Sequence, residues 1–110
     1  MQSPNVAPEG KLIHLVTLEC KDEEHATRCI DALSGYGRPD ALAFNCLSYE
    51  FGLKEGTTDT IYIVERWNRW EDLDSLLRTK VVPALPIYNQ LLKHPFDPAK
   101  DTLRIKLSES

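Results

Sequence analysis

Glu65 lies in TIYIVERW (60 to 67), a run of β-branched and aromatic residues in which a carboxylate is out of place. Period-two alternation puts Ile63, Glu65 and Trp67 on one face of that strand. A carboxylate on a central strand is costly to bury unless it is hydrogen-bonded or paired, so Glu65 needs a partner. His14, in the equally apolar KLIHLVTLE (11 to 19), reaches it if the two segments are neighbouring strands in suitable register. A carboxylate beside an imidazole fixes the tautomer and strengthens the ring as a general base. The same residues also read as a satisfied core histidine with Glu65 tied to Arg66 or to backbone, because structural networks bury charge too. Trp67, by itself, reads as core filling at a strand end.

The elements that must position these groups follow from periodicity. KLIHLVTLE is apolar on both parities, Leu12, Val16 and Leu18 against Ile13 and Leu15, as in a strand covered on both faces. KDEEHATRCIDALSGYG changes to helical spacing at Ala26, Cys29, Ile30 and Leu33, with Asp22 as N-cap and Gly35 and Gly37 past the end. After a turn at GRPD, AFNCLSYEFG (43 to 52) is a second strand, joined by the loop LKEGTTD to TIYIVERW as a hairpin. Asn68 and Glu71 spell a capping box that opens a helix with the stripe Leu73, Leu76 and Leu77, and Trp70 packs at the corner. Pro83 and Pro86 break this helix and restart it as LPIYNQLL; HPFDP is a loop, and DTLRIKL (101 to 107) alternates as a last strand.

That order, β-α-β-β-α-(α)-β, is the ferredoxin-like α+β fold, in which an antiparallel four-stranded sheet carries both helices on one face and sets the first and third strands side by side. Residues 1 to 10 read as a flexible N-terminal arm and 11 to 110 as a single domain. Because the first and third strands are apolar on both parities, the second face of the sheet needs cover. An identical sheet packed about a two-fold axis supplies it, which predicts a homodimer forming an α/β barrel.

Bulk properties narrow the function. A chain of 110 residues with 42% apolar and 27% charged residues is an ordinary one-domain protein. A net charge of -4 without a Lys/Arg cluster argues against nucleic acid. No run approaches the ~20 apolar residues of a membrane span, and MQSPNVAPEG has no signal-peptide pattern. Cys20, Cys29 and Cys46, odd in number and without CxxC spacing, read as small buried hydrophobes in a reducing cytoplasm. His25 and His94 read as solvated, and the absence of metal-ligand spacing or a phosphate loop leads us to expect no metal and no cofactor.

NCLSYEF paired with YIVERW, followed by a helix rich in acids and leucines, resembles the antibiotic biosynthesis monooxygenase family of dimeric α/β barrels, from about Leu12 to Leu92 and weakly to Leu107. The stretches that carry the likeness are Cys46 to Glu50 and Glu65 to Trp67. The resemblance implies a cofactor-independent monooxygenase that uses dioxygen on a phenolic or anthrone-type aromatic polyketide or quinol in secondary metabolism. Its alternatives are a polyketide cyclase or isomerase, or a non-catalytic binding protein for a hydrophobic metabolite. Related barrels include polyketide cyclases whose first strand carries a histidine similar to His14. In the family the Ile63, Glu65, Trp67 face looks into a pocket between sheet and helices, so the implied catalytic set is His14, Glu65 and Trp67. The implied substrate contacts are Asn45, Tyr49, Tyr62, Ile63, Leu73, Leu76 and Tyr88. The chain departs from the family at four of these: Leu76 replaces a frequent histidine, Ile63 an asparagine, Leu73 a tyrosine and Asn45 a glycine. Without a histidine at 76, the haem-degrading members are a poor match.

Overall fold

The computed structural model describes residues 10 to 108. Strand β1 (Leu12–Glu19) is followed by helix α1 (Glu23–Ala32), a π-helical turn (Leu33–Gly37) and α2 (Arg38–Ala43). The hairpin of β2 (Ser48–Leu53) and β3 (Thr60–Trp67) comes next. Then α3 (Trp70–Leu76), a second π turn (Leu77–Val81) and α4 (Val82–Asn89) lead through short α5 (Pro98–Asp101) to β4 (Thr102–Lys106). The sheet order is β2-β3-β1-β4 and every pairing is antiparallel, the ferredoxin-like arrangement. Among the described residues no helix is long and apolar enough to cross a membrane.

Strand parity divides the sheet. Val16, Leu18, Ile61, Ile63 and Trp67 point to the helices and pack with Ala26, Cys29, Leu33, Leu73 and Leu76 into the core. The opposite parity of β1, β3 and β4 forms the outer face, where Leu103, Ile105 and Val64 keep 60%, 39% and 37% of their surface exposed. In β4, therefore, the apolar row faces outward and the polar row, Thr102 and Arg104, faces the helices, the reverse of an ordinary edge strand.

Asp22 caps α1 as expected, its carboxylate accepting from the His25 amide at 2.9 Å. Five local readings need correction. Gly35 and Gly37 do not end the first helix, and GRPD is not a turn. The chain passes through the π turn directly into α2, with Pro39 in its first turn, where the missing N–H costs no helical bond. The second helical run likewise goes through a π turn at 77 to 81 before Pro83 instead of breaking there. The second strand starts at Ser48, not residue 43. No Asn68 capping box forms; Arg69 occupies the N-cap position, and Asn68 Oδ1 accepts from the Gly10 amide at 3.1 Å instead. Arg66 donates to the Gly10 carbonyl at 3.0 Å, so the chain is held at residue 10; the arm expected over 1 to 10 otherwise lies outside the described residues.

Candidate active site

A cavity of about 730 Å³ lies between the helix-facing side of the sheet and the two helical runs. Its walls are mainly apolar, with Val16, Leu18, Leu33, Ile63, Leu73 and Leu76 among them, and both π turns contribute to the lining. π turns widen a helix locally and recur at functional sites.

His14 and Glu65 are cross-strand partners in the β1–β3 register and stand side by side on the cavity floor. His14 Nδ1 is 2.9 Å from Glu65 Oε1, and the two residues retain 4% and 5% exposure. Trp67 Nε1–H donates to the same oxygen at 3.0 Å. Glu65 Oε1 is thus a double acceptor, which places a proton on Nδ1 of His14 and leaves Nε2 as the ring nitrogen that can exchange a proton with a ligand in the cavity. Two donors on Oε1 satisfy one oxygen of this buried carboxylate.

Tyr49 is the cross-strand partner of Glu65 on the other side, from β2, and is buried at the cavity wall. Burial pushes its hydroxyl far above the usual phenol range, and the nearby Glu65 charge adds to this, so Tyr49 acts as a donor and not as a base. Gly37 makes room for it: a β-carbon there would sit 2.9 Å from the Tyr49 hydroxyl and 3.2 Å from Leu33. Tyr88 also lines the cavity, its hydroxyl pushed up to about 12 by burial and by the thiol of Cys29 and the carboxylate of Asp40.

Of the residues expected at the site, His14, Glu65, Tyr49, Ile63, Leu73, Leu76 and Tyr88 line this one cavity. Trp67 does not: it is fully buried behind Glu65, where it orients the carboxylate instead of walling a ligand. Tyr62 and Asn45 are corrections. Tyr62 pairs with Thr17 on the outer parity of the sheet, because the side that carries Ile61 and Ile63 inward sends residue 62 outward. Asn45 is exposed in the α2–β2 connection at φ 74°, a left-handed conformation that glycine and asparagine tolerate best. Its role is in the turn, which is why asparagine stands where the resembling family has glycine.

Arg104 and Gly37 are among the site residues that sequence reasoning missed. The alternation of DTLRIKL already put Arg104 on the parity of Thr102, and the fold's strand order places β4 beside β1. Together those two signals locate Arg104 next to His14. The cysteines are free and buried; burial raises the Cys29 and Cys46 thiols to about 12.

No family model matches the chain, and no curated protein matches it. Solved structures do. One from Deinococcus radiodurans, named "putative antibiotic biosynthesis monooxygenase", superposes with a TM-score of 0.69 at 19% identity, over 90% of this chain and 94% of that one. A second so named, from Chloroflexus aurantiacus, gives 0.60 at 17%, over 90% and 94%. A Bacteroides thetaiotaomicron protein described as "Possible Oxidoreductase" gives 0.69 at 17%, over 89% and 99%. The chain therefore has the ferredoxin-like fold of these solved structures.

Proposed function

We propose that the cavity is the active site of a small cofactor-independent monooxygenase that acts on a phenolic or anthrone-type polyketide or quinol of secondary metabolism, with dioxygen as the oxidant. One observation carries the reading: a buried His14–Glu65 pair at 2.9 Å turns a free Nε2 toward an apolar cavity. The names borne by the Deinococcus and Chloroflexus structures agree with it.

His14 Nε2 removes a proton from a phenol or from carbon beside a carbonyl, and Glu65, steadied by Trp67, balances the imidazolium charge. Tyr49 donates a hydrogen bond to the oxygen on which the enolate charge accumulates. For an anthrone the electron-rich carbon then bonds to dioxygen, and the imidazolium proton is returned to the resulting peroxide. Loss of the second C–H proton to Nε2, with cleavage of the O–O bond, leaves a ketone and water. The methylene supplies all four electrons that dioxygen accepts, so no external reductant is needed.

The test is aerobic incubation with anthrone under labelled dioxygen, without added metal or flavin, and mass spectrometry of the product. Label incorporated faster than in the blank supports the oxygenase, and His14→Ala then slows it at least ~100-fold. Unchanged substrate, with anthrone and with an anthrone carboxylic acid alike, refutes it. A non-catalytic binding protein for a hydrophobic metabolite is the second reading, favoured by the apolar side chains at Ile63, Leu73 and Leu76, and a cyclase or isomerase using the same base is the third.

The proposal includes a homodimer in the cytoplasm. Leu103, Ile105 and Val64 form the exposed apolar face that a second copy would cover. A solution mass of one chain at low micromolar concentration overturns the dimer.

A further inference from the structure

The registers align four ionisable or polar side chains in a single row across the helix-facing side of the sheet. Arg104 of β4 is opposite His14, His14 opposite Glu65, and Glu65 opposite Tyr49. Neighbouring strands are about 4.8 Å apart, so the row places a cation one strand away from the base and a phenol two strands away on the other side.

Arg104 is held from behind. Its Nη2 donates to Asp74 at 2.7 Å, and its guanidinium lies over the Trp70 ring at 5.0 Å. Both partners belong to α3, and neither lines the cavity, whereas Arg104 does. A guanidinium carries five N–H donors in a fixed plane, and Asp74 engages it through one nitrogen. Lys80, from the second π turn, lines the same cavity. Asp40 also lines it, but from α2, whose sheet contact is with β2, the edge opposite β4. The cavity is thus polarised: Asp40 and the hydroxyls of Tyr49 and Tyr88 lie toward the β2 edge, and the half-exposed Arg104 guanidinium, paired with Asp74, lies at the β4 edge.

We propose that Arg104 is a specificity-determining residue that binds an anionic group of the substrate, so that the cavity takes an aromatic acid with its carboxylate one strand from His14. The inference rests on the cavity being the active site, and it names the substrate class for that site. Asp74 and Trp70 act as positioning residues, because they fix the plane of the guanidinium before the ligand arrives.

The experiment compares 2-naphthoate with 2-naphthamide, which match in size and differ in charge, by calorimetric titration of the full chain at neutral pH and low salt. The wild-type protein binds the acid at least about tenfold more tightly than the amide. Arg104→Gln binds both with the affinity of the amide, and Arg104→Lys restores part of the preference. Equal binding of the two probes by the wild type overturns the proposal, as does a preference that survives in a folded Arg104→Gln. Binding of neither at millimolar concentration overturns it too, since an apolar cavity of about 730 Å³ has room for two fused rings. Turnover plays no part in this measurement. Failure of the oxygenase chemistry leaves the anion preference standing, and loss of the preference leaves the labelled-dioxygen result standing.

Discussion

Trp67→Phe isolates the bond that holds Glu65 in place. The substitution keeps an aromatic ring in a fully buried position and deletes one donor, the indole N–H that reaches Glu65 Oε1 at 3.0 Å. Two losses add. A hydrogen bond to a charged acceptor is worth about 1.5–3 kcal/mol, and the space left by the smaller ring costs about 1–2 kcal/mol more. The expected destabilisation of roughly 2.5–5 kcal/mol corresponds to a fall in Tm of about 10–20 °C for a domain of this size. Urea unfolding of four proteins apportions it: the wild type, Trp67→Phe, Glu65→Gln and the double variant. The volume loss is common to both backgrounds. The charge-assisted part is not, so Trp67→Phe costs about 1 kcal/mol less in the Glu65→Gln background than in the wild type. Equal costs in both backgrounds refute the assignment of Trp67 as the residue that orients the carboxylate, and return it to plain core filling.

Gly37→Ala gains about 1 kcal/mol of helix propensity but drives a β-carbon to 2.9 Å from the Tyr49 hydroxyl; overpacking of that kind costs about 1–3 kcal/mol. The variant melts slightly below the wild type and binds cavity ligands more weakly; a protein more stable than wild type shows that Tyr49 gives way freely. Alkaline pH destabilises the fold. Burial raises the Cys29 and Cys46 thiols from 9.0 to about 12, so between those values the unfolded chain has released two protons that the native chain still holds. Stability is therefore full below pH 9 and falls above it, by about 3 kcal/mol per pH unit for the two groups together. Urea midpoints between pH 8 and 11 test this, and a flat curve refutes it. Over the same range a thiol reagent labels these cysteines only as the protein unfolds.

The strand order and the His14–Glu65 contact were legible in the sequence because each rests on a rule with few exceptions. Parity fixed the face of Glu65, and the ferredoxin-like order made β1 and β3 neighbours. What escaped depended on partners far away in the chain. Asn68 looks like an N-cap because Glu71 follows at the right spacing, yet its side chain goes to Gly10, 58 residues away. Gly37 looks like a helix stop because glycine usually is one. Its actual reason is the Tyr49 hydroxyl, brought against it by the β2–β3 register. The π turns have no local signature apart from the prolines that follow them, Pro39 and Pro83, and a proline is read as a break unless the helix can widen before it.

The reversed polarity of β4 is the departure with the most consequence for function. An edge strand normally sends its apolar residues to the core, and here Leu103 and Ile105 point away from it while Arg104 points in. A register slip of one residue would exchange the rows, bury Leu103 and Ile105 against the helices and put the guanidinium on the outer face. The slip is opposed where charge is satisfied on the inner side: Arg104 reaches both Asp74 and Trp70 of α3. A surface ion pair alone holds little, about 0–1 kcal/mol, so the outer row must also gain by facing outward, as it does if a second sheet covers it. On this account Arg104 and the row Leu103, Ile105 depend on one another. Losing the cover over the outer face weakens the register that sets the cation beside His14, so the oligomeric state and the anion preference of the cavity should change together when that face is made polar.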